Sequence, residues 1–332
     1  MSLRQRAGAL VYDWPNFLRH IGGDWTRIRN RDERIVSDGR GVRCEWAFTS
    51  NLHLPAVYPS AGHWLMRRAL AQWPIAMRET PAALSATPEV TFLIGHRGVE
   101  RLPNLLATLR SIAGQEGVGI ECIVIEQSAR REIERELPSW VRYLHTPVAA
   151  DFDYCRAATF NDGLQLARGS VLVLHDNDML LPSKYAFELA ARARDGAHFI
   201  DLKRFIFYLE EAETRRIFDG GALRTDVDSS VVQNLRGGSV AATTAAYRAI
   251  GGFDEEFVGW GGEDNEFWER AEEHGGVYAF GYLPIVHLWH RPQKGKETRD
   301  APAQRRYYEI RSIPPAERIT RLTRSAKFSN EK

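Results

Sequence analysis

Apolar residues cluster into short, punctuated runs from residue 89 onward. Val90 to Ile94 and Ile120 to Ile125 are continuous and rich in β-branched residues, and Val171 to Leu174 is a third such run. Runs of this length with that composition predict buried strands. Between them, Glu100 to Ala113 and Cys155 to Ala167 read as helices. Alternating strands and helices predict an α/β fold with a mainly parallel sheet covered by helices. Before residue 88 the pattern is different. Trp14, Trp25, Trp46, Trp64 and Trp73 are scattered among arginines without sustained periodicity, and the stretch from Pro81 to Pro88 reads as a linker. The expected organisation is an irregular N-terminal subdomain over 1–88, an α/β domain over 89–300, and a helical or flexible C-terminal tail over 301–332.

Ligands of such sheets bind where strands end at their carboxyl side, so the residues after each run carry the chemistry. After Leu174 come His175, Asp176, Asn177 and Asp178. Two carboxylates one residue apart offer hard oxygen ligands to a divalent cation; a plain turn explains the same residues. The segment from Gly251 to Trp268 contains Gly259-Trp260-Gly261-Gly262-Glu263-Asp264-Asn265-Glu266. Its glycines permit close backbone approach, and its acids open a helix whose N-terminal end favours negative charge. Helix capping accounts for Glu263. Asp264, however, shares a face with Phe267, Trp268 and Ala271. A carboxylate on that apolar face is expected to be desolvated, with a raised pKa suited to proton abstraction. His287 and His290, after the apolar run ending at Val286, are spaced to meet one cation, and Arg291, Lys294 and Lys296 follow as a diphosphate-facing cluster or a solvated run.

Composition narrows the partners. The 332 residues hold 44 basic and 43 acidic side chains, a formal charge of +1, so no global field favours nucleic acid. Cys44, Cys122 and Cys155 are too few and too scattered for a disulfide framework. No stretch has the apolar length of a membrane span. The chain reads as soluble and cytoplasmic, with any lipid-linked acceptor met peripherally at a membrane surface.

Asp176-Asn177-Asp178, the Gly237-Gly238-Ser239 turn, the Gly259 to Glu266 segment and the His287–His290 pair come in an order that resembles the β-1,4-galactosyltransferases and their bacterial relatives, the chondroitin polymerase domains. The resemblance covers about residues 89 to 296, and Gly-Trp-Gly-Gly-Glu-Asp is its most specific part. It implies a GT-A fold, Rossmann-like, with a mixed, mainly parallel sheet. It also implies an inverting transfer from a UDP-sugar to a hydroxyl of a saccharide or glycoconjugate with a divalent metal, Mn²⁺ in first place and Mg²⁺ in second. Carried over by position, Asp178, His290 and His287 are the metal ligands, His287 standing where some members have methionine. Asp264 is the general base. Trp260, Glu263 and Asn265 face the acceptor. Arg156, Asp176 and Gly238 contact the donor, and His96, Arg97 and Glu126 stand where uridine contacts fall.

Two departures mark this chain. Gly95-His96-Arg97-Gly98 replaces the family's Pro-Phe-Arg-Asn-Arg type of turn, and Asn265 replaces an acid that in some members holds an acetamido sugar. A retaining N-acetylgalactosaminyltransferase-like enzyme, whose motif has Asn where this chain has Asp264, and a non-catalytic carbohydrate-binding protein are the alternatives. A nucleotidyltransferase would need a longer glycine-rich loop. The polar stretch from Phe218 to Gly238 is expected to form a mobile lid.

Overall fold

The computed structural model of the protein describes all residues except 1–2, 32, 46–48, 83, 292–300, 325–326 and 329–332, and the side chains of all described residues except that of residue 5. Trp46, Lys294 and Lys296 therefore lie outside the described residues.

The chain opens with α1 (Leu3–Gly8), a π-helical turn (Ala9–Asp13) and α2 (Trp14–His20). A hairpin of β1 (Ile35–Asp38) and β2 (Gly41–Cys44) follows, then β3 (Ser50–Asn51), α3 (His53–Val57) and α4 (Pro59–Gln72). The α/β units are β4 (Val90–His96), α5 (Leu102–Ala113), β5 (Ile120–Ser128), β6 (Arg142–Pro147), α6 (Arg156–Leu164) and β7 (Val171–His175). Then come β8 (Met179–Leu180), α7 (Tyr185–Arg194), β9 (Phe199–Ile200), β10 (Lys203–Leu209), α8 (Glu211–Phe218), β11 (Ser229–Gln233) and β12 (Ser239–Thr243). The chain closes with α9 (Thr244–Ala249), α10 (Glu263–Gly275), β13 (Val277–Tyr278), β14 (Leu283–His287), α11 (Pro302–Ile310) and α12 (Pro315–Thr323).

Two sheets result. The larger has the order β13-β9-β12-β7-β4-β5-β6, with β7, β4, β5 and β6 mutually parallel and β12 antiparallel to β7 and β9. This is the expected α/β architecture with a mixed, mainly parallel central sheet. Along β4, Phe92 and Ile94 face a core with Leu105, Leu109 and Ile112 of α5, while Leu93 faces Ala157, Phe160 and Leu164 of α6. Burial on both faces is why the strand reads as an unbroken apolar run rather than as alternation. The smaller sheet has the order β3-β11-β10-β14-β8.

Three residues, 176–178, carry the chain from β7 of the large sheet into β8 of the small one. The seam between the sheets is therefore built on Asp176-Asn177-Asp178.

The N-terminal region is more ordered than its pattern suggests. In α4, Leu65, Met66, Ala69 and Leu70 are buried, and they join Phe17 and Trp25 in a core shared with Phe205, Phe207, Val231 and Val286 of the small sheet. Fully burying a Leu, Met, Phe or Val side chain such as these contributes about 1.5–3 kcal/mol, and β3 pairs with β11. The lid expected over Phe218 to Gly238 is corrected in part: Ser229–Gln233 is a strand hydrogen-bonded to β10 on one side, and its last two residues pair with β3 on the other. A doubly paired strand cannot open without breaking ladder bonds. Only residues 219–228 lie outside regular structure on that side of it.

Candidate active site at the seam of the two sheets

Topology brings the sequence motifs together. The first residue of β8, Met179, is paired with His287 at the end of β14, and the backbone N–H of Leu288 donates to the Asp178 carbonyl at 2.8 Å. Asp178, His287 and His290 can each present one ligand atom with all three atoms within 4.8 Å of one another. His287 Nε2 lies 3.7 Å from Asp178 Oδ1, and His290 Nε2 lies 3.4 Å from Oδ2. Tyr208 stacks on the His287 ring, with centroids 4.1 Å apart, and so sets its plane. Burial alone would push the Asp178 carboxyl up, but His287, Arg101 and His290 hold it below the usual carboxylate range.

Arg101 was not singled out in the sequence. Its Nη2 pairs closely with Asp178 Oδ2 and also donates to Asn177 Oδ1 at 3.2 Å. It sits in the turn just before α5, where an arginine looks like an ordinary surface residue.

A second cluster adjoins the first. Arg156, at the first position of α6, donates from Nε to Asp176 Oδ1 at 2.7 Å and from Nη1 to Asp264 Oδ1 at 2.9 Å; Glu263 lies 3.8 Å from Nη1. Burial would lower its pKa, but the three carboxylates hold it well above the usual value. The carboxyl driven upward at the start of α10 is Glu263, to about 7, because burial and the neighbouring Asp264 charge outweigh Arg156. Burial likewise raises Asp176, with Arg156 opposing.

Glycines let the cluster close. A Cβ on Gly237 would stand 2.1 Å from Asp264 Oδ2, so only glycine allows the loop between β11 and β12 to lie against that carboxylate. Gly262 adopts φ +89° at the start of α10, and a Cβ there would meet Tyr307 at 2.7 Å. Gly238 presents its carbonyl to the Asp176 N–H at 2.8 Å. Behind them Phe267, Trp268 and Ala271 are buried as the helical spacing predicts. Trp260 is 40% exposed, and Asn265 is half-buried at the start of α10. The helix is anchored from the C-terminal side: Glu266 accepts from Arg270 at 2.6 and 2.7 Å and from Arg318 of α12 at 3.2 Å, all three buried. A buried carboxylate paired twice over is costly to disturb.

The remaining predicted donor residues sit at the ends of β4 and β5. His96 is buried and neutral, its pKa lowered to about 4 by burial, with Nδ1 contacting the Asn177 amide at 2.9 Å and Nε2 contacting the Gly98 carbonyl at 3.0 Å. Glu126 accepts from Tyr143, from Ser128 at 3.1 Å and from the Glu132 N–H at 3.1 Å. Arg97 donates to the carbonyls of Phe152 and Ala150. As placed, all three tie the strand ends to adjacent loops.

Among the buried polar atoms at the seam that have no hydrogen-bond partner among the described residues are Arg101 Nη1, Arg156 Nη2 and Asp178 Oδ1. Leaving such groups unsatisfied costs about 1–3 kcal/mol each. Two donors and one acceptor in that state fit a cation at the aspartate and an anion at the arginines. One carboxylate and two imidazoles suit a divalent transition-metal ion better than Mg²⁺, which prefers oxygen ligands throughout.

The model of one protein family, described as the N-terminal domain of galactosyltransferase, matches residues 229–290. That stretch holds β11, β12, the Gly259–Glu266 segment and both histidines. Among solved structures, the chain is similar to the catalytic domain of Drosophila β1,4-galactosyltransferase 7 in complex with xylobiose, at 18% identity over 66% of this chain and 79% of that one, with a TM-score of 0.42. It is also similar to the Pyrobaculum calidifontis mannosyltransferase PcManGT in complex with GDP-Man and Mn²⁺, at 15% identity over 79% and 72% of the two chains, with a TM-score of 0.43. A third is the Mycobacterium tuberculosis glucosyl-3-phosphoglycerate synthase with Mn²⁺, UDP and phosphoglyceric acid, at 14% identity over 74% and 87%, with a TM-score of 0.45. No curated protein matches. These likenesses are distant, and the functional reading rests on the geometry of this chain.

Proposed function

We propose that the protein is a GT-A glycosyltransferase that uses a divalent metal to move a sugar from a UDP-sugar to a hydroxyl of a saccharide or glycoconjugate, with inversion. The observation that carries this reading is the adjacency of two differently charged clusters at one seam, with orphan donors and an orphan acceptor between them.

Asp178, His287 and His290 would hold the cation, which when bound supplies Lewis-acid stabilisation of the charge on the departing diphosphate. Arg101 and Arg156 offer N–H groups to phosphate oxygens, Arg156 Nη2 gaining the partner it lacks. Asp264 accepts the proton of the acceptor hydroxyl as that oxygen bonds to the anomeric carbon, and the bond to the diphosphate oxygen breaks with its electron pair leaving on the diphosphate. Base catalysis of this kind is worth about 10²–10⁴-fold. Trp260 offers an exposed apolar face to a sugar ring, flanked by Glu263 and Asn265. Arg156 donates to Asp264, so engagement of Arg156 by the diphosphate would also free the base.

The test is release of UDP across a panel of UDP-sugars, with Mn²⁺ present and then chelated. Release that needs both metal and an acceptor sugar supports the reading. Sugar binding without any nucleotide release assigns the fold to a non-catalytic carbohydrate-binding role instead, and retention of anomeric configuration in the product removes Asp264 as the base.

A further inference from the structure

The N-terminal helical segment carries both buried and exposed apolar residues. Ala9, Asn16 and Phe17 are turned into the protein, and Asp13 is buried with them, its carboxylate accepting the Arg31 N–H at 2.8 Å. On the other side Leu3, Leu10, Val11, Tyr12, Leu18 and Ile21 are 39 to 86% exposed. They form half of the large hydrophobic side chains that the described surface exposes. A helix that only capped the core would carry polar residues there. Apolar surface gathered on one element marks an interaction site.

Charge identifies the occupant. Arg4, Arg6 and Arg19 are exposed on the same segment, and Asp13 is the only acid between residues 3 and 21. A second copy of the chain laid face to face would oppose arginine to arginine, with no exposed acid on the segment to pair them. An anionic lipid surface takes apolar side chains below its headgroups and arginines among them. We propose that residues 3–21 dock the protein on an anionic lipid surface. This inference stands apart from the reaction proposed above. The segment packs on α3, whose Pro55 and Ala56 line a cleft of about 900 Å³ that reaches His287 and His290.

The experiment is co-sedimentation of the full chain with vesicles of equal parts phosphatidylglycerol and phosphatidylcholine, and with phosphatidylcholine alone. Sedimentation is expected with the first, weakened by salt, and little with the second. Replacing three arginines near an anionic surface is worth about fivefold each, so Arg4→Gln, Arg6→Gln and Arg19→Gln together should weaken binding about 100-fold. Leu10→Glu with Val11→Glu should abolish it. These side chains face solvent, and unchanged thermal unfolding of the variants confirms that only the surface is altered. Failure of the unaltered chain to bind anionic vesicles overturns the proposal, as does binding that both sets of variants leave intact. Concentration-dependent dimerisation in light scattering that Leu10→Glu with Val11→Glu removes assigns the face to a second copy instead. None of these readouts depends on glycosyl transfer, so the docking and the reaction stand or fall separately.

Discussion

The two clusters at the seam are made of similar residues and differ in charge balance. Around Asp178, one carboxylate meets an arginine and two imidazoles. Around Arg156, one guanidinium meets three carboxylates. The first holds its acid ionised and leaves an oxygen with no hydrogen bond; the second forces one of its acids, Glu263, toward neutrality. The same chemistry of burial thus keeps a carboxylate charged on one side and drives one toward its neutral form on the other.

Breaking the first cluster should have the largest effect. Asp178→Ala removes the one carboxylate of the candidate metal site, and Lewis-acid stabilisation is worth several kcal/mol, so turnover should fall about 10³-fold or more. Titration calorimetry should show Mn²⁺ affinity lost in parallel. Normal Mn²⁺ affinity in this variant would remove the metal role from the seam.

The second cluster is tested by Asp264→Asn. The amide oxygen can still accept from Arg156 and still fits against Gly237, so the affinity for UDP with Mn²⁺ should move by less than about 1.4 kcal/mol, which is tenfold. Turnover should drop about 10²-fold or more, because the amide cannot take the acceptor's proton. Loss of nucleotide binding and turnover together would make Asp264 a donor-site residue rather than a base.

A smaller effect separates the clusters by pH. Glu263 has its folded-state pKa raised from the ordinary 4.5 to about 7. The folded protein therefore binds more protons than the unfolded chain between those values, and stability from this group falls as pH rises through that window. Glu263→Gln removes the slope. At pH 8 the variant should be more stable than the natural chain by on the order of 3 kcal/mol, while at pH 4 the two should agree. Parallel unfolding profiles from pH 4 to pH 8 would contradict the account of Glu263.

What was legible in the sequence follows the range of the forces involved. Strands β4, β5 and β7 are buried on both faces, so a local apolar run suffices to predict them, and the residues ending β7 then mark the site. Asp178, His287, His290 and Asp264 stand in motifs short enough to read. Helix α4 was missed because Trp64, Arg67 and Arg68 interrupt its apolar stripe, and burial against the small sheet decides its structure. The strand Ser229–Gln233 lies in a stretch whose polar, weakly patterned sequence predicts a lid, while its pairing partners lie at residues 50–51 and 206–209. Tyr208 reaches His287 only through the parallel register of β10 and β14, which no local pattern encodes. The same is true of Arg101 and Asp178, 77 residues apart in the chain.

The smallest expected effect concerns that pair and has the most diagnostic sign. Arg101 pairs with Asp178, so a cation entering the site competes with the guanidinium for the same carboxylate. Arg101→Gln keeps a side chain of similar reach that can still donate to Asn177, but it removes the competing charge. Mn²⁺ affinity measured without nucleotide should therefore rise, by up to about tenfold, or 1.4 kcal/mol. UDP affinity measured at saturating Mn²⁺ should fall by a similar factor, since a charge-assisted contact to the diphosphate is gone. Opposite signs in the two titrations are what a shared cation and anion site demands. If Mn²⁺ affinity falls instead, Arg101 orients Asp178 as a ligand rather than competing for it. If neither titration changes, the pairing of Arg101 with Asp178 has no part in donor binding, and Arg156 is left as the cation that receives the diphosphate.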